Sequence, residues 1–125
     1  HYDDVIETTM LNLLCAGSFK TMLPKLDSTN FDGIKIIRPL YYIREEDIIR
    51  FIQNSGIWPL NCACMVAAKK TGNKRYEIKT LIKNLGENFT NVEKSIFRAA
   101  ENVNIDSVLG WQKDDVKHSF LEKHE

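Results

Sequence analysis

Apolar residues recur at helical spacing in four stretches of the chain, with polar residues between them. The first stretch is apolar over a wide stripe, which indicates a helix that packs on more than one side. The second opens on Glu45, Glu46 and Asp47, acids that suit the positive end of a helix, and closes at Gly56. The predicted helices span residues 2–16, 44–55, 73–85 and 90–102.

Extended segments flank the second predicted helix. Residues 34–37 are mostly β-branched, lie between a glycine and a proline, and predict a strand; residues 57–60 predict a shorter extended segment. Residues 18–33 resemble a loop that contains one short extended piece at 22–26. Because one clear strand cannot satisfy its backbone groups alone, partner strands are expected from a second copy or from a preceding N-terminal part.

A strand, a helix and an extended segment in alternation are typical of an α/β protein. The predicted fold class is helix-rich α/β, with one or two strands and about four helices. Residues 1–64 are expected to form the α/β part and residues 65–110 a helical region with a basic helix. Residues 111–125 are mostly polar and are expected to form a frayed tail, after a short helical turn at 105–109.

Composition excludes few classes of protein. The 125 residues are 43% hydrophobic and 27% charged, which is ordinary for a globular domain. No apolar run reaches the roughly 20 residues that a membrane-spanning helix needs, and no secretory signal is visible. The three cysteines, an odd number, favour a reducing compartment, with the cytoplasm as the expected location. The first residue is not methionine, which is expected of a fragment or a trimmed chain.

Charge is balanced overall but unevenly distributed. Residues 69–100 carry eight bases and three acids, whereas both ends of the chain are acidic. Basic side chains near an aromatic ring suit contact with an RNA backbone and stacking on a base, although a solvated helix face would show the same pattern. The candidate RNA-binding residues are Lys69, Lys70, Lys74, Arg75 and Lys79.

Acids and a hydroxyl cluster at the start of the first predicted helix, in the run His-Tyr-Asp-Asp-Val-Ile-Glu-Thr. Asp4, Glu7 and Thr8 share one face because they are three and four residues apart. Such a cluster suits Mg²⁺ with phosphate ligands, or a carboxylate that acts as a base. Helix capping and a favourable helix dipole would explain the same residues without any ligand.

An arginine, Arg38, directly follows the predicted strand. A side chain at the carboxyl end of a strand points toward the crevice where α/β proteins bind ligands, and the guanidinium fork suits phosphate. An ion pair with Glu45 or Glu46 across the following turn is the alternative.

Two cysteines, Cys62 and Cys64, are separated by one residue and follow the predicted extended segment. Their thiols suit a metal or an iron–sulfur cluster, but two thiolates complete no common site. Two small core residues would give the same pattern, and Cys15, inside the first helix, is interpreted as a packing residue.

In this order and spacing, the motifs resemble the PP-loop (N-type ATP pyrophosphatase) superfamily, and within it the tRNA 2-thiocytidine-synthetase type. The first run resembles the signature G-H-x-x-D-D-x-x-E-T, to which this chain supplies Asp3, Asp4, Glu7 and Thr8. The Met-Leu-Pro-Lys-Leu loop, the Arg-Pro-Leu strand end, the cysteine pair and the basic helix follow as in that family. The family usually spaces its cysteines C-x-x-C, whereas this chain has C-x-C.

The resemblance implies the C-terminal part of an adenine-nucleotide α-hydrolase-like domain in an enzyme that 2-thiolates a tRNA cytidine. It implies ATP and Mg²⁺ as cofactors, held with the help of Asp3, Asp4, Glu7 and Thr8, and Asp4 and Arg38 as active-site residues. It further implies a [4Fe–4S] cluster on Cys62 or Cys64, a sulfur donor protein or sulfide, and tRNA as partner. A homodimer is an expectation from the lone predicted strand and not from the resemblance.

The superfamily's S-G-G-x-D-S phosphate loop does not occur in these 125 residues, so this chain alone is expected to be inactive. Two other functions remain open from the sequence. One is another PP-loop chemistry such as lysidine formation, which the cysteine pair disfavours because it needs no cluster. The other is a non-catalytic RNA- or metal-binding module that dimerises to complete its sheet.

Overall fold

Helices and two small β-hairpins make up the computed structural model, which describes residues 1–58 and 74–123. The helices in these ranges are α1 (Tyr2–Cys15), α2 (Glu45–Ser55), α3 (Lys74–Asn88) and α4 (Val92–Ala99). The strands are β1 (Lys25–Asp27), β2 (Lys35–Ile37), β3 (Gly110–Lys113) and β4 (Val116–Ser119). Short 3-10 turns lie at Ile105–Ser107 and Phe120–Lys123.

The helix predictions are confirmed in position, with changes at their ends. The run Thr90-Asn91-Val92-Glu93 fits a capping box and predicts Thr90 as the N-cap of the fourth helix. This prediction is wrong, because the helix begins after Asn91, which has a positive φ of 58° and makes no side-chain cap. The first helix is capped by His1, whose ring nitrogen accepts from the Asp4 amide. The predicted turn near residue 105 is confirmed as a 3-10 turn.

The predicted strand finds its partner inside the chain. β1 and β2 pair antiparallel, with Leu26 opposite Ile36, so the expectation that this strand needs a second copy or a preceding segment is wrong. The short extended piece expected at 22–26 overlaps β1, which starts at Lys25 and ends one residue later than expected, at Asp27. The pair is a two-stranded hairpin within the described residues, which leaves both of its outer edges unpaired there.

Residues 110–123 form two strands and a 3-10 turn, so the prediction of a frayed tail is wrong for them. β3 and β4 form an antiparallel hairpin whose turn residues, Asp114 and Asp115, both have positive φ, as tight hairpin turns require. Trp111 stacks on His118 across the strands at 5.1 Å between ring centroids. Gly110 is required, because a Cβ there would lie 2.8 Å from the His118 carbonyl oxygen.

The core lies where α1, α3 and α4 meet. Phe97 of α4 is at its centre, stacked nearly parallel on Tyr2 at 4.3 Å and edge-on to Tyr41 at 5.6 Å. The Tyr41 hydroxyl is satisfied by the Met22 carbonyl, which ties the loop before β1 to this core. The buried hydrophobic residues are Val5, Ile6, Tyr41, Ile78, Ile82 and Phe97.

Helix α2 does not bury its apolar face in the described residues. The spacing of its isoleucines and Phe51 predicts an apolar face that packs inward, yet none of its residues is buried and Phe51 is 65% exposed. Ile37 of β2 and Trp58 after α2 are likewise exposed. An apolar surface of this extent is unusual for an isolated domain. Among the described helices, none is long and apolar enough to cross a membrane.

Removing the ring at the centre of the core should destabilise the chain strongly. Phe97→Ala is expected to lower the free energy of unfolding by about 3–5 kcal/mol, because it removes a buried aromatic side chain and leaves a cavity. Urea unfolding followed by circular dichroism measures this. Phe51→Ala is the matched control, with a change within about 1 kcal/mol, because that ring is exposed. Equal losses in the two variants would contradict the core described above.

Candidate functional site

Acidic side chains of the first two turns of α1 gather at the junction with α2 and α3. Glu7 is buried, with only 3% of its surface exposed, whereas Asp3, Asp4 and Thr8 are partly exposed. The helical spacing predicted from the sequence is observed, since Asp4, Glu7 and Thr8 lie on the side of α1 that faces α3.

Arg75 of α3 joins three of these residues. Its Nη1 lies 3.4 Å from Glu7 Oε1 and 3.6 Å from Asp4 Oδ1, and its Nη2 donates to Thr8 Oγ1 at 3.1 Å. Lys79, one turn further along α3, lies 3.8 Å from the other oxygen of Glu7 and donates to Glu45 Oε2 at 2.7 Å. The two cations therefore connect α1 with α3, and Lys79 adds the first turn of α2.

Asp3 links α1 to the start of α2. One of its oxygens accepts from the backbone amide of Glu45 at 2.6 Å, and the other lies 3.0 Å from Arg44. Arg44 also forms an ion pair with Glu93 of α4 and lies over the Tyr2 ring at 5.1 Å. Asp3 thus satisfies a free amide at the beginning of a helix, as a capping residue does, but the helix is α2 and not its own.

Asp4 keeps the loosest set of partners. Its backbone amide donates to the His1 ring, and its carboxylate lies 3.3 Å from His1 Nε2 and 3.6 Å from Arg75. Its side chain is 39% exposed, the largest exposed fraction among Asp3, Asp4 and Glu7. Of the three carboxylates, Asp4 is the one that a ligand from solution can reach most easily.

Burial dominates the electrostatics of Glu7. Desolvation raises its pKa above the usual glutamate value, while the charges of Lys79 and Arg75 act in the opposite direction. Burial lowers the pKa of Lys79, but the hydrogen bond to Glu45 and the charge of Glu7 outweigh it, so the pKa of Lys79 lies above its usual value. Glu7 and Lys79 therefore influence each other's pKa, and both are partly shielded from solvent.

An open cavity of about 260 Å³ lies beside the cluster. Its wall combines apolar residues of three helices, Ile6, Ile49 and Ile82, with charged groups that include Glu7 and Lys79. In residues 1–58 and 74–123, no group of three or more histidine, cysteine, aspartate or glutamate side chains is arranged to hold a metal ion by itself.

The structure places the predicted RNA-binding residues in different surroundings. Arg75 and Lys79 contact the acids of α1 and α2, and Lys74 is exposed and pairs with Glu77 one turn along α3. Lys69 and Lys70 lie outside the described residues. The basic helix therefore directs part of its positive charge toward the acids of α1 and α2.

Arg38 contacts the loop before β1. Its guanidinium donates to the Leu23 carbonyl at 2.6 Å and its amide to the Pro24 carbonyl at 2.9 Å. Among the described residues these contacts replace the ion pair with Glu45 or Glu46 that was the alternative expectation. The structure does not bring Arg38 into contact with the carboxylates of α1.

The predicted cluster ligands Cys62 and Cys64 lie outside the described residues. Cys15 lies within them and is exposed, so its interpretation as a packing residue is wrong. Sequence reasoning missed Arg44 and Glu93 as members of the network. The available signal was Arg44 itself, a base placed directly before three acids.

Asp3 is expected to stabilise the α1–α2 junction. Asp3→Ala should lower the free energy of unfolding by about 1.5–3 kcal/mol, because it leaves the Glu45 amide without its acceptor and removes one of the two carboxylates that pair with Arg44. Asp3→Asn keeps an acceptor oxygen and should lose less. Urea unfolding of both variants, beside Asp32→Ala at an exposed loop acid, measures the effect. A loss as small in Asp3→Ala as in Asp32→Ala would contradict this role.

Glu7 should make stability depend on pH with a definite sign. Its native pKa is raised, so its contribution is present below the unfolded value of about 4.5 and is lost as pH rises through the native pKa. The charged groups that face it are Lys79, Arg75, Asp4 and Glu45. Relative to Glu7→Gln, the wild type should therefore lose stability as pH increases from about 4.5.

Urea unfolding at a series of pH values measures this difference in the free energy of unfolding. Glu87→Gln removes the same charge from an exposed position on α3 and is the matched control. The assigned burial of Glu7 would be contradicted if the wild type lost as much stability relative to Glu87→Gln as pH increased. It would also be contradicted if the wild type gained stability relative to Glu7→Gln over the same pH range.

The chain is similar to curated proteins named tRNA-cytidine(32) 2-sulfurtransferase. It is 39% identical to the one from Geotalea uraniireducens over 104 residues, which is 82% of this chain and 40% of the relative. It is 35% identical to the one from Geobacter metallireducens over 82% of this chain and 39% of the relative. The protein from Vibrio vulnificus is 36% identical over 82% of this chain and 32% of its own length.

The chain thus spans about two fifths or less of the length of these relatives. No family model matches the chain, and no solved structure matches it significantly. The similarity confirms the resemblance inferred from the motifs, and it covers a part of the relatives and not their whole length.

Proposed function

We propose that this chain, a relative of the tRNA-cytidine(32) 2-sulfurtransferases, forms part of an enzyme that replaces the 2-oxygen of cytidine 32 in tRNA with sulfur. The observation that carries the proposal is the match of 35–39% identity over 82% of the chain to proteins of this name. The D-D-x-x-E-T run supports it, because two of its acids, Asp3 and Glu7, line an open cavity and the third, Asp4, is the most exposed of the three.

Within this proposal the acids of α1 have unequal roles. Asp3 and Glu7 are engaged by backbone or cationic partners, whereas Asp4 is the most exposed and is the residue proposed to face Mg-ATP or the target base. Magnesium usually uses one or two carboxylates together with phosphate oxygens, so a single accessible carboxylate fits this ion as part of a shared site. Thr8 contributes a hydroxyl already oriented by Arg75.

ATP would supply adenylation of the cytidine carbonyl, which makes its oxygen a leaving group that sulfur can replace. The proposal includes a [4Fe–4S] cluster with Cys62 or Cys64 among its ligands, and a sulfur donor protein or sulfide. Arg38, at the end of β2, is proposed to shape the wall of the active site and keeps its position through the Leu23 carbonyl.

The tRNA contact is proposed to use the outward part of the basic region. Lys74 is exposed at the start of α3, next to the segment that contains Lys69 and Lys70. A cytoplasmic location belongs to the same proposal. The names of the relatives favour thiolation over lysidine formation or a non-catalytic module.

Asp4 provides the direct test. In the complete enzyme, Asp4→Asn should lower the rate of tRNA thiolation by roughly 10²-fold or more, because an amide can neither bind a metal as a carboxylate does nor accept a proton. Mass spectrometry of nucleosides from treated tRNA measures 2-thiocytidine. Asp32→Asn, at an exposed acid of the β1–β2 loop, should act like wild type. Full activity of Asp4→Asn would reject the role of Asp4, and a wild-type enzyme that makes no 2-thiocytidine would reject the function.

A further inference from the structure

Arg75 has contacts that a surface arginine does not usually combine. It belongs to the helix predicted to bind RNA, yet its guanidinium faces the first two turns of α1. Different nitrogens of the same fork reach Glu7 and Thr8, and Nη1 also approaches Asp4. Its partners are 67 to 71 positions away in the sequence, so these contacts are tertiary and not a local helix pair.

The buried member of this set is the acid. The side chain of Glu7 is only 4% exposed, and a buried carboxylate that loses its cationic partner is strongly unfavourable. The Glu7 carboxylate therefore fixes Arg75 through one oxygen, and Lys79 lies beside the other oxygen. With Thr8 as a second fixed contact, the guanidinium plane has little freedom to rotate.

We propose that Arg75 is a positioning residue for the reaction, which orients the carboxylate of Asp4 and the hydroxyl of Thr8 from a platform anchored on buried Glu7. This inference rests on the proposed function. Arg75 acts through these two side chains and needs no contact with substrate of its own. The fork of the guanidinium is essential, because the single ammonium group of a lysine cannot contact Glu7 and Thr8 in one plane as the two nitrogens of Arg75 do.

The alternative is that Arg75 contributes positive charge to tRNA binding, as predicted for the basic helix. The two roles respond differently to Arg75→Lys, which keeps the charge and removes the fork. A positioning role predicts that the lysine variant loses turnover; a role in phosphate binding predicts that it stays close to wild type, since lysine also binds phosphate.

Steady-state kinetics of the complete enzyme on a tRNA transcript separates the two roles. Arg75→Lys and Arg75→Ala should both lower kcat by about tenfold or more, because misplacement of a reacting group by 1 Å can have effects of this order. The KM for tRNA should stay within about twofold, as expected when binding in the ground state is unchanged. Arg50→Ala is the matched control, because the ion pair of this arginine within the described part of the chain is an exposed one with Asp47 of the same helix.

Thr8→Val keeps the shape of the side chain and removes the hydroxyl that Arg75 holds. It should lower kcat in the same direction, and the double variant with Arg75→Lys should lose less than the product of the two single effects, because both changes act on one contact. This pair keeps the test decisive if Arg75→Ala does not fold.

The outcomes are distinct. An active wild type, with a normal kcat in Arg75→Lys and a raised KM for tRNA in Arg75→Ala, would overturn the positioning role and leave the proposed function standing. Multiplicative effects of Thr8→Val and Arg75→Lys would also overturn it. If the wild type makes no 2-thiocytidine while Arg50→Ala is equally inactive, the proposed function fails and the positioning role fails with it.

Discussion

Burial of the Glu7 carboxylate between α1 and α3 is the constraint on which the rest of the arrangement depends. It is flanked in sequence by Ile6, a fully buried core residue, so α1 cannot pack without enclosing an acid. A carboxylate in such a place requires charged or hydrogen-bonded partners. The nearest element that offers them is α3, through Arg75 and Lys79.

This requirement sets the rotation of α3 about its own axis. Arg75, Ile78, Lys79 and Ile82 follow one another at helical spacing, so they form one face. Two isoleucines on that face enter the core, and the two cations beside them meet Glu7. Polar and apolar packing therefore agree on one orientation of the helix, which is the kind of consistency that specifies a single structure.

The sequence predicted what depends on local pattern. The positions of the helices follow from a period of 3.6, and this period was visible without any knowledge of tertiary contacts. The β3–β4 hairpin was missed because its strands are short and its turn is Asp114-Asp115, without the glycine that usually marks such a turn. Burial of α2 was wrongly expected because an amphipathic pattern predicts an apolar face but not which element covers it.

The sequence predicted which acids form the site, but not which side chains they contact. The run from Asp3 to Thr8 identified the acids, but whether a base such as Arg75 faces solvent or a carboxylate depends on partners about 70 positions away. Surface exposure is the ordinary state of arginine and lysine, so the sequence predicted a helix whose bases face solvent, with RNA contact as one interpretation of that face. Only the packing of α3 on α1 gives Arg75 and Lys79 acidic partners on other helices, whereas Lys74 pairs with Glu77 of its own helix.

The three carboxylates of α1 therefore carry out different tasks, although the sequence presents them as one motif. Asp3 satisfies the start of α2, as a capping role predicts, and Glu7 fixes the cations of α3. Because these two acids are committed to structure, Asp4 can remain exposed without loosening the helix junction. Structural and chemical interpretations of an acidic motif are thus not exclusive, since the acids with structural roles hold in place Asp4, the residue proposed for chemistry.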